Sequence, residues 1–435
     1  MDVVILGIGC FLLLFFLLLF AGVPVAFSLG IAGFIGLWMG WGVDIGLAYL
    51  MTTPYRQAAH YTLAAVPLFL LMGRFVYHGG LSKALYVLAY KWLGRLPGGL
   101  AMATSMACAG FAALSGSSTA TVAAIAPITL PEMKRYNYSE KLGLGVIGAS
   151  GTFAIMIPPS ITFIVYGLLT ETSIGKLFIA GVIPGILSAL LYLTLIFVRC
   201  KMNPALAPLA PRETVTWKER ILALRGIWHV TLLIIVILGG IYFGIVTVNE
   251  AGAIGAAGAF FISLVTRKID LPKFREGIQE AVTVSAMIFM VIIGAFIFGY
   301  FLSLSKIPQN LISWVGALPV SKWFILSLIL LVYVFLGTFM DQIAIQVLTL
   351  PITFPLILAL GFDPIWFGVI VVKTTEIGLI TPPLGLNIYI LKGVSGEPLE
   401  KVFAGVAPFL IADFSTLIIL VLLPQISTFL PSMMG

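Results

Sequence analysis

Long apolar runs separated by short polar segments dominate the chain. Runs of this kind have the length that a helix needs to cross a bilayer, and we predict spans at 140–168, 177–198, 227–248 and 252–266. The first run, 1–25, lacks a basic start and a small-residue cleavage motif, so we expect a retained span and not a signal peptide. The pattern predicts an all-α protein that crosses a membrane several times.

Two further apolar stretches are interrupted by a polar elbow. Residues 98–133 carry "SGSSTAT" in their middle, and the stretch from 322 to 360 carries "GTFMDQ" at 337–342. Each stretch enters and leaves the membrane on the same side, which predicts a re-entrant helical hairpin. Because non-helical backbone at membrane depth is tolerated only inside protein or beside a wet cavity, we expect both elbows to lie in a protected interior.

Two Pro-Pro pairs interrupt apolar helices at equivalent places. Pro158-Pro159 and Pro382-Pro383 are 224 residues apart, and the same offset aligns 115–184 with 339–408 at twelve identical positions without a gap. This spacing predicts two sequence repeats, 1–198 and 227–435, joined by the polar and basic linker 199–226. Since proline removes a backbone donor and clashes with the preceding turn, we expect a broken helix in each repeat. Both breaks should meet the elbows in the protected interior.

The charges predict that the two repeats are inverted across the membrane. Lys and Arg concentrate on the cytoplasmic side, so the linker is placed inside, and alternating spans then put eighteen basic residues inside and four outside. The basic loop 134–141 has a counterpart at 358–365 without a cation. Both termini are accordingly predicted to lie outside.

Composition supports a membrane protein and excludes several other classes. Hydrophobic residues make up 60% of the 435 and charged residues 9%, against about 25% charged in soluble domains. The net charge of +7 reports topology rather than nucleic-acid binding. The three cysteines and three histidines are isolated, so they predict neither a disulfide framework nor a metal site.

The polar groups around the breaks predict ion binding. Carbonyls freed at a Pro-Pro break, the negative end of the upstream half-helix and threonine hydroxyls together suit Na⁺, whereas free N–H groups at an elbow suit a carboxylate. An ionisable group at membrane depth costs at least ~2.5 kcal/mol, which draws attention to Asp341, Lys373 and Glu376. Lys373 and Glu376 are three residues apart on one helix face, so a structural salt bridge and substrate contact both stay open. We interpret Arg74 as structural.

Several motifs then resemble one known family. "GVPVAFSLGIAG", "VPLFLLMG", "SGSSTATVAAI", "GTFAIMIPPS", "GTFMDQ" and "EIGLITPPLGLNIY" occur in the order typical of the large membrane subunit of TRAP (tripartite ATP-independent periplasmic) transporters, DctM-like permeases. The resemblance covers essentially the whole chain. It implies a sodium-coupled symporter that imports a small organic anion through the bacterial or archaeal inner membrane. It also implies two separate partners, a small four-helix membrane subunit and a periplasmic binding protein that delivers the substrate.

The family's elevator mechanism assigns roles to segments and residues. The scaffold would comprise 1–97, 177–198 and 227–304, the moving transport parts 98–170 and 322–394, and the final helix 403–430. By resemblance, the sodium ligands would be Ser115, Ser118, Ala154, Ile157, Pro159, Gly337, Gly378, Thr381 and Leu384. Substrate would contact Ser117, Thr119, Asp341, Lys373, Thr375 and Asn387. No cofactor is expected besides Na⁺ as the coupling ion.

Three other functions remain as alternatives. The first is an inverted-repeat carrier of carboxylates or oxyanions that acts without a binding protein. The second is an intramembrane enzyme, which needs a nucleophile–base pair or a metal cluster that the isolated histidines do not suggest. The third is a scaffold or channel-like protein, in which mutation of the breaks would leave function unchanged.

Overall fold

The computed structural model describes residues 3–19, 21–208 and 215–434, and every regular element in them is helical. The two termini, predicted to be periplasmic, and linker residues 209–214 lie outside the described residues. The first half begins with five helices, with a short 3₁₀ turn at Tyr61–Ala64 before the fourth: α1 Val3–Leu19, α2 Val25–Trp41, α3 Val43–Ala58, α4 Ala65–His78 and α5 Leu81–Leu93.

The predicted hairpin, broken helix and return helix follow. They are α6 Gly99–Ser115, α7 Ser118–Arg135, α8 Glu140–Ser150, α9 Phe153–Met156, α10 Ile161–Thr170 and α11 Ile174–Met202. The segment 140–156 bends by 41° relative to α10. Helix α11 is longer at both ends than the predicted 177–198.

A linker helix and the second half complete the chain. They comprise α12 Trp217–Arg225, α13 Trp228–Tyr242, α14 Val248–Val265, α15 Leu271–Leu304, α16 Ile307–Gly316, α17 Lys322–Gly337, α18 Gln342–Ala359, α19 Pro364–Gly378, α20 Leu386–Ser395, α21 Leu399–Leu422 and α22 Gln425–Ser432. The predicted final helix 403–430 is wrong in its extent, because it starts at Leu399 and is interrupted before Pro424. Leu423 leaves the helical conformation, as residues before proline tend to do.

The order of helices repeats at the offset seen in the sequence. Shifting α18 back by 224 residues gives 118–135, the bounds of α7, and α13, α14, α17, α20 and α21 fall on α1, α2, α6, α10 and α11 within a few residues. The clearest departure is α15, a single helix of 34 residues, whose counterpart is divided into α3, the 3₁₀ turn and α4. That the halves are inverted across the bilayer stays a prediction.

Equivalent helices make equivalent contacts. Helix α2 packs against α15, and its counterpart α14 packs against α4; α7 packs against α20, and its counterpart α18 packs against α10. Each hairpin therefore contacts the second half of the other repeat's broken helix. Helix α11 contacts α6, α9, α19 and α21, which favours grouping it with the hairpins rather than with α1–α5.

Helix lengths agree with the membrane prediction. Among the described residues, six helices are long and apolar enough to cross a bilayer, or up to eight if each bent pair is one span. Helix α17, at 16 residues, rises only about 24 Å, less than the ~30 Å hydrocarbon core. A hairpin arm of that length is too short to cross the core, which agrees with the prediction of an elbow at membrane depth. The all-α membrane fold is therefore confirmed.

Candidate functional site

The first elbow is a tight turn between α6 and α7. Gly116 adopts φ +58°, the left-handed region that favours glycine. The Ala120 N–H donates to the Ser117 hydroxyl at 3.4 Å, so Ser117 caps α7, and the Ser117 and Thr119 hydroxyls are 3.1 Å apart. The hydroxyl oxygens of Ser115 and Thr121 are 3.0 Å apart. The sequence "SGSSTAT" therefore forms a compact group of hydroxyls at a helix N-terminus.

This elbow lies against the first Pro-Pro break. A Cβ atom added to Gly116 would lie 2.8 Å from the Pro159 carbonyl oxygen, so only glycine permits this approach. Ile157 has left the helical conformation, with φ −75° and ψ 121°, and the Ser160 hydroxyl donates to the Ile155 carbonyl at 2.5 Å. The candidate ligands at the elbow and at the break are thus brought together.

The second elbow approaches the second break in the same way. A Cβ atom added to Gly337 would lie 2.7 Å from the Gly378 Cα atom. The Gly385 N–H donates to the Thr338 carbonyl at 3.1 Å. The contact joins the end of α17 to the end of α19, and two of the predicted sodium ligands, Gly337 and Gly378, form it.

The two breaks differ in exposure. Ala154, Pro158 and Pro159 are buried, as the sequence predicted for a protected interior. Pro382, Pro383 and Leu384 are exposed, with Leu384 at 39%. The expectation that both breaks lie in a protected interior is wrong for the second. Helix α20, which follows it, packs mainly against α7, α8 and α21, whereas α10 after the first break packs against α4, α9, α11, α18 and α19.

A side-chain hydrogen bond joins the first elbow to the second half of the chain. The Ser118 hydroxyl donates to Asn387 Oδ1 at 2.7 Å, and both side chains are fully buried. Asn387 Nδ2 has no hydrogen-bond partner among the described residues. A predicted sodium ligand and a predicted substrate contact are therefore neighbours, and a buried donor there is free to bind a polar ligand.

Asp341 is engaged at the start of α18. Its Oδ1 atom accepts hydrogen bonds from the backbone N–H groups of Ile343 (2.9 Å) and Ala344 (3.2 Å). A carboxylate in that position satisfies two of the orphan donors of the helix. The second elbow therefore offers an anion fewer free N–H groups than the first.

Lys373 lies in a buried cluster of charges. Its Nζ atom is 2.6 Å from Asp413 Oδ1, 3.1 Å from Glu376 Oε2 and 3.4 Å from the Ser188 hydroxyl, and the side chains of the three charged residues have no exposed surface. The pairing of Lys373 with Glu376 that the sequence left open is present. Thr375, beside them, donates its hydroxyl hydrogen to the Val372 carbonyl at 2.8 Å.

The cluster connects the two halves of the chain. The Tyr192 hydroxyl of α11 donates to Asp413 Oδ2 of α21 at 2.7 Å. The Thr152 hydroxyl donates to Glu376 Oε1 at 2.7 Å, and these residues are 224 positions apart in sequence. Equivalent positions of the two repeats are thus in direct contact.

Several buried polar residues were missed by the sequence reasoning. Asp413 interrupts the apolar run "VAPFLIADFSTLIIL", and an acidic residue at such depth was a usable signal. Gln346 of α18 is fully buried, and neither of its amide atoms has a hydrogen-bond partner in the described part of the chain. Because buried polar groups are nearly always paired, Gln346 is a further candidate to contact a polar ligand.

No cluster of three or more His, Cys, Asp or Glu side chains that could hold a metal ion occurs among the described residues. The three cysteines are free and buried. The oxygens at the two elbows belong to hydroxyl, carbonyl and, at Asp341, carboxylate groups, which are hard ligands of the kind that alkali-metal ions accept.

Comparison with known proteins identifies relatives over nearly the whole chain. A family model described as "Tripartite ATP-independent periplasmic transporter, DctM component" matches residues 12–426. The chain is 41% identical over 384 residues to the C4-dicarboxylate TRAP transporter large permease protein DctM of Pseudomonas aeruginosa, covering 88% of each. It is 30% identical to the sialic acid TRAP transporter large permease protein SiaM of Vibrio cholerae, covering 96% of each.

A solved structure shares the fold. The YdaH transporter of Alcanivorax borkumensis, described as having an unusual topology, superposes with a TM-score of 0.63 at 15% sequence identity. The match covers 89% of this chain and 88% of that one. At this identity the likeness shows the fold alone.

Proposed function

This chain belongs to the DctM component family of tripartite ATP-independent periplasmic transporters, and from that premise we propose that it is a sodium-coupled importer of a small organic anion. The family consists of multi-pass membrane permeases, so the alternative of an intramembrane enzyme is set aside. Sodium coupling, the partners and the substrate class are the parts that need a test.

The hydrogen bonds of three candidate hydroxyls carry the proposal of sodium binding. The Ser118 hydrogen is donated to Asn387, and the Thr381 hydrogen is donated to the Ile377 carbonyl at 2.7 Å. Thr121 donates to the Ser117 carbonyl at 2.9 Å, so the Ser115 hydrogen serves the Ser115–Thr121 contact. Because a hydroxyl has one donor and two lone pairs, each of these oxygens presents only lone pairs to its surroundings, as a cation ligand must.

Backbone oxygens complete each proposed site. Helices α9 and α19 end at the breaks, where the helix dipole is negative. The Gly378 carbonyl accepts the Thr381 N–H at 3.0 Å, and its second lone pair is available to a cation. The proposed carbonyl ligands are Ala154, Ile157, Pro159, Gly337, Gly378 and Leu384. The neutral ligand sets leave the positive charge of Na⁺ available to attract an anion bound nearby.

The first elbow is the better place for the anion's carboxylate. Helix α7 begins there with its N–H groups directed outward, and the hydroxyls of Ser117 and Thr119 are half-buried beside them. At the second elbow the corresponding groups are occupied by the Asp341 carboxylate, whose charge repels an anion. We therefore place one substrate carboxylate near Ser117 and Thr119, with Asn387 and Gln346 as further polar contacts.

Membership of the family supports a proposal of the partners and of the substrate class. We propose that a separate small four-helix membrane subunit and a periplasmic binding protein serve this permease in the inner membrane, and that the elevator motion carries the hairpins. The relatives' names, C4-dicarboxylate and sialic acid, point to a carboxylic acid. Each Na⁺ gains about 2.3 kcal/mol per 100 mV and roughly 1.4 kcal/mol per tenfold gradient, which is enough to concentrate an anion without ATP.

Uptake by reconstituted vesicles tests the sodium sites. With the small subunit and the binding protein present, Ser118→Ala and Thr381→Ala should each raise the half-saturating Na⁺ concentration about tenfold, since one contact to a charged group supplies roughly 1.5 kcal/mol. Thr283→Ala is the matched control. Its hydroxyl donates to the Gln279 carbonyl four residues earlier at 2.8 Å, the same bond that Thr381 makes, on the exposed side of α15.

Three results would count against the proposal in different ways. Unchanged sodium titrations in both variants would remove the proposed sites. Sodium-independent uptake by the wild-type complex would remove the coupling. Full uptake without any binding protein would favour the stand-alone carrier.

A further inference from the structure

A small cavity lies between the first elbow and helices α4 and α15. Its volume is about 130 Å³. The elbow supplies one wall and the two long helices supply the other. The residues that matter here are Gly73, Arg74, Tyr77, Ser115, Ser117 and Glu280.

Arg74 brings a positive charge into this cavity. It lies one turn inside the end of α4, in the apolar sequence "LFLLMGRFVYH", and its side chain is 22% exposed. A charged residue in such a helix is costly unless it has a partner or a function. In the sequence Arg74 lies outside the breaks, which favours a structural role, but the fold brings it to the cavity beside the elbow.

The arginine has a protein partner that engages it only in part. Arg74 Nη1 is 3.0 Å from Glu280 Oε2, and the Glu280 side chain is 37% exposed. A guanidinium carries five N–H donors arranged as a fork, and this contact uses one end of it. The remaining donors are available to a second carboxylate. His78 Nε2 lies 3.8 Å from the same Glu280 oxygen.

The elbow is held close to the arginine by a glycine. A Cβ atom added to Gly73 would lie 2.9 Å from the Ser115 Cα atom and 3.2 Å from its carbonyl oxygen. The backbones of α4 and of the elbow therefore touch at the residue preceding Arg74. An anion held near Ser117 in the cavity is thus within reach of the arginine.

We propose that Arg74 binds a carboxylate of the transported anion in this cavity, taking it in exchange for Glu280, and so contributes to substrate specificity from outside the hairpins. This inference rests on the proposed import of an organic anion. Arginine binds planar carboxylates in a two-pronged manner that lysine cannot reproduce, so the cavity selects organic acids over chloride. Since Arg74 belongs to α4 and Ser117 to the hairpin, the anion contacts both only when the elbow lies against α4, as it does here.

Ligand-dependent thermal unfolding of the purified membrane complex tests the proposal, with succinate and N-acetylneuraminate as probes in NaCl. For whichever acid the wild type binds, Arg74→Gln should raise the apparent Kd at least about tenfold, which is about 1.4 kcal/mol. The apparent Kd of Arg74→Lys, which keeps the charge but loses the forked arrangement of donors, should fall between those of the wild type and Arg74→Gln. Glu280→Gln should leave the apparent Kd unchanged or lower it, because it releases the arginine from its competitor. Arg56→Gln, at an exposed arginine of α3, is the control.

The opposite results are equally clear. A wild-type Kd in Arg74→Gln would overturn the proposal, and so would an equal weakening in Glu280→Gln, which would make the pair merely structural. If Arg74→Gln does not fold, the Kd of Arg74→Lys tests the proposal instead. A Kd equal to that of the wild type in this variant excludes a two-pronged contact. Sodium-driven uptake by the wild type separates this inference from the proposed function. If the wild type takes up no carboxylate, the proposed function and this inference both fail. If the wild type takes up a carboxylate and Arg74→Gln binds it with an unchanged Kd, this inference alone fails.

Discussion

Replacing Lys373 by methionine removes the only cation from the buried cluster. Lys373 Nζ is 2.6 Å from Asp413 Oδ1 and 3.1 Å from Glu376 Oε2, and none of the three side chains is exposed. Methionine fills a similar volume without a charge. The two carboxyl groups then share one apolar site, where the hydroxyls of Thr152 and Tyr192 donate to them.

The expected loss of stability is large for a single substitution. Removing one partner of a buried ion pair costs about 3–5 kcal/mol, because the other charge stays desolvated and uncompensated. Domains are stabilised by only about 5–15 kcal/mol. A change of this size lowers the folded-to-unfolded ratio by roughly a hundredfold to a few thousandfold.

The free energy of unfolding in mixed micelles of dodecylmaltoside and SDS measures this effect. Lys392→Met, at an exposed lysine of α20, is the matched control and should change stability by no more than about 0.5 kcal/mol. The triple variant Lys373→Met, Glu376→Gln, Asp413→Asn removes all charges and should recover more than half of the loss. A Lys373→Met variant as stable as the wild type, or a triple variant no better than the single one, would refute the reasoning.

Two further predictions concern the second elbow and a helix start. Gly337→Ala should destabilise the protein by about 1–3 kcal/mol and reduce uptake, because the added Cβ atom meets the Gly378 backbone at 2.7 Å. Gly299→Ala is the control, since a Cβ atom there has no neighbouring atom within 4 Å. Equal melting temperatures of the Gly337→Ala variant and the wild type would contradict the close contact. The Lys273 backbone N–H donates to Asp270 Oδ1 at 2.9 Å and lowers the pKa of Asp270. This cap therefore stabilises α15 fully at pH values above the ordinary carboxyl pKa of ~3.9. The stabilisation is lost as the pH falls through the lowered pKa. Asp270→Ala should therefore lower the melting temperature equally at pH 8 and pH 5, and the difference from wild type should shrink below about pH 4; a difference that grows on acidification would show the opposite sign.

The local features of the fold could be predicted from the sequence. The elbows at Gly116 and at 338–341 follow from short polar segments in apolar stretches, and the breaks follow from the Pro-Pro pairs. The repeat offset was available from identities alone. The signals for the elbows and the breaks lie within a few residues of the feature that they predict, and the offset needs only a comparison of the chain with itself.

The remaining features depend on contacts between distant segments. Asp413 and Tyr192 join Lys373 only after α11, α19 and α21 pack together, and the spacing of these residues along the chain does not predict that packing. The exposure of Pro382 and Pro383 depends on which helices cover the second break. The proximity of Arg74 to the first elbow likewise arises from the packing of α4.

The hydrogen bond between Thr152 and Glu376 has a consequence for how the two repeats diverged. In a pair of identical half-length chains related by a two-fold axis, a position that touches its own equivalent lies on that axis and meets a copy of itself. Two glutamates there would repel each other, and two threonines would leave the lysine with one acid fewer. The arrangement of one hydroxyl facing one carboxylate is open only to two copies that are free to become different, as they are in this fused chain.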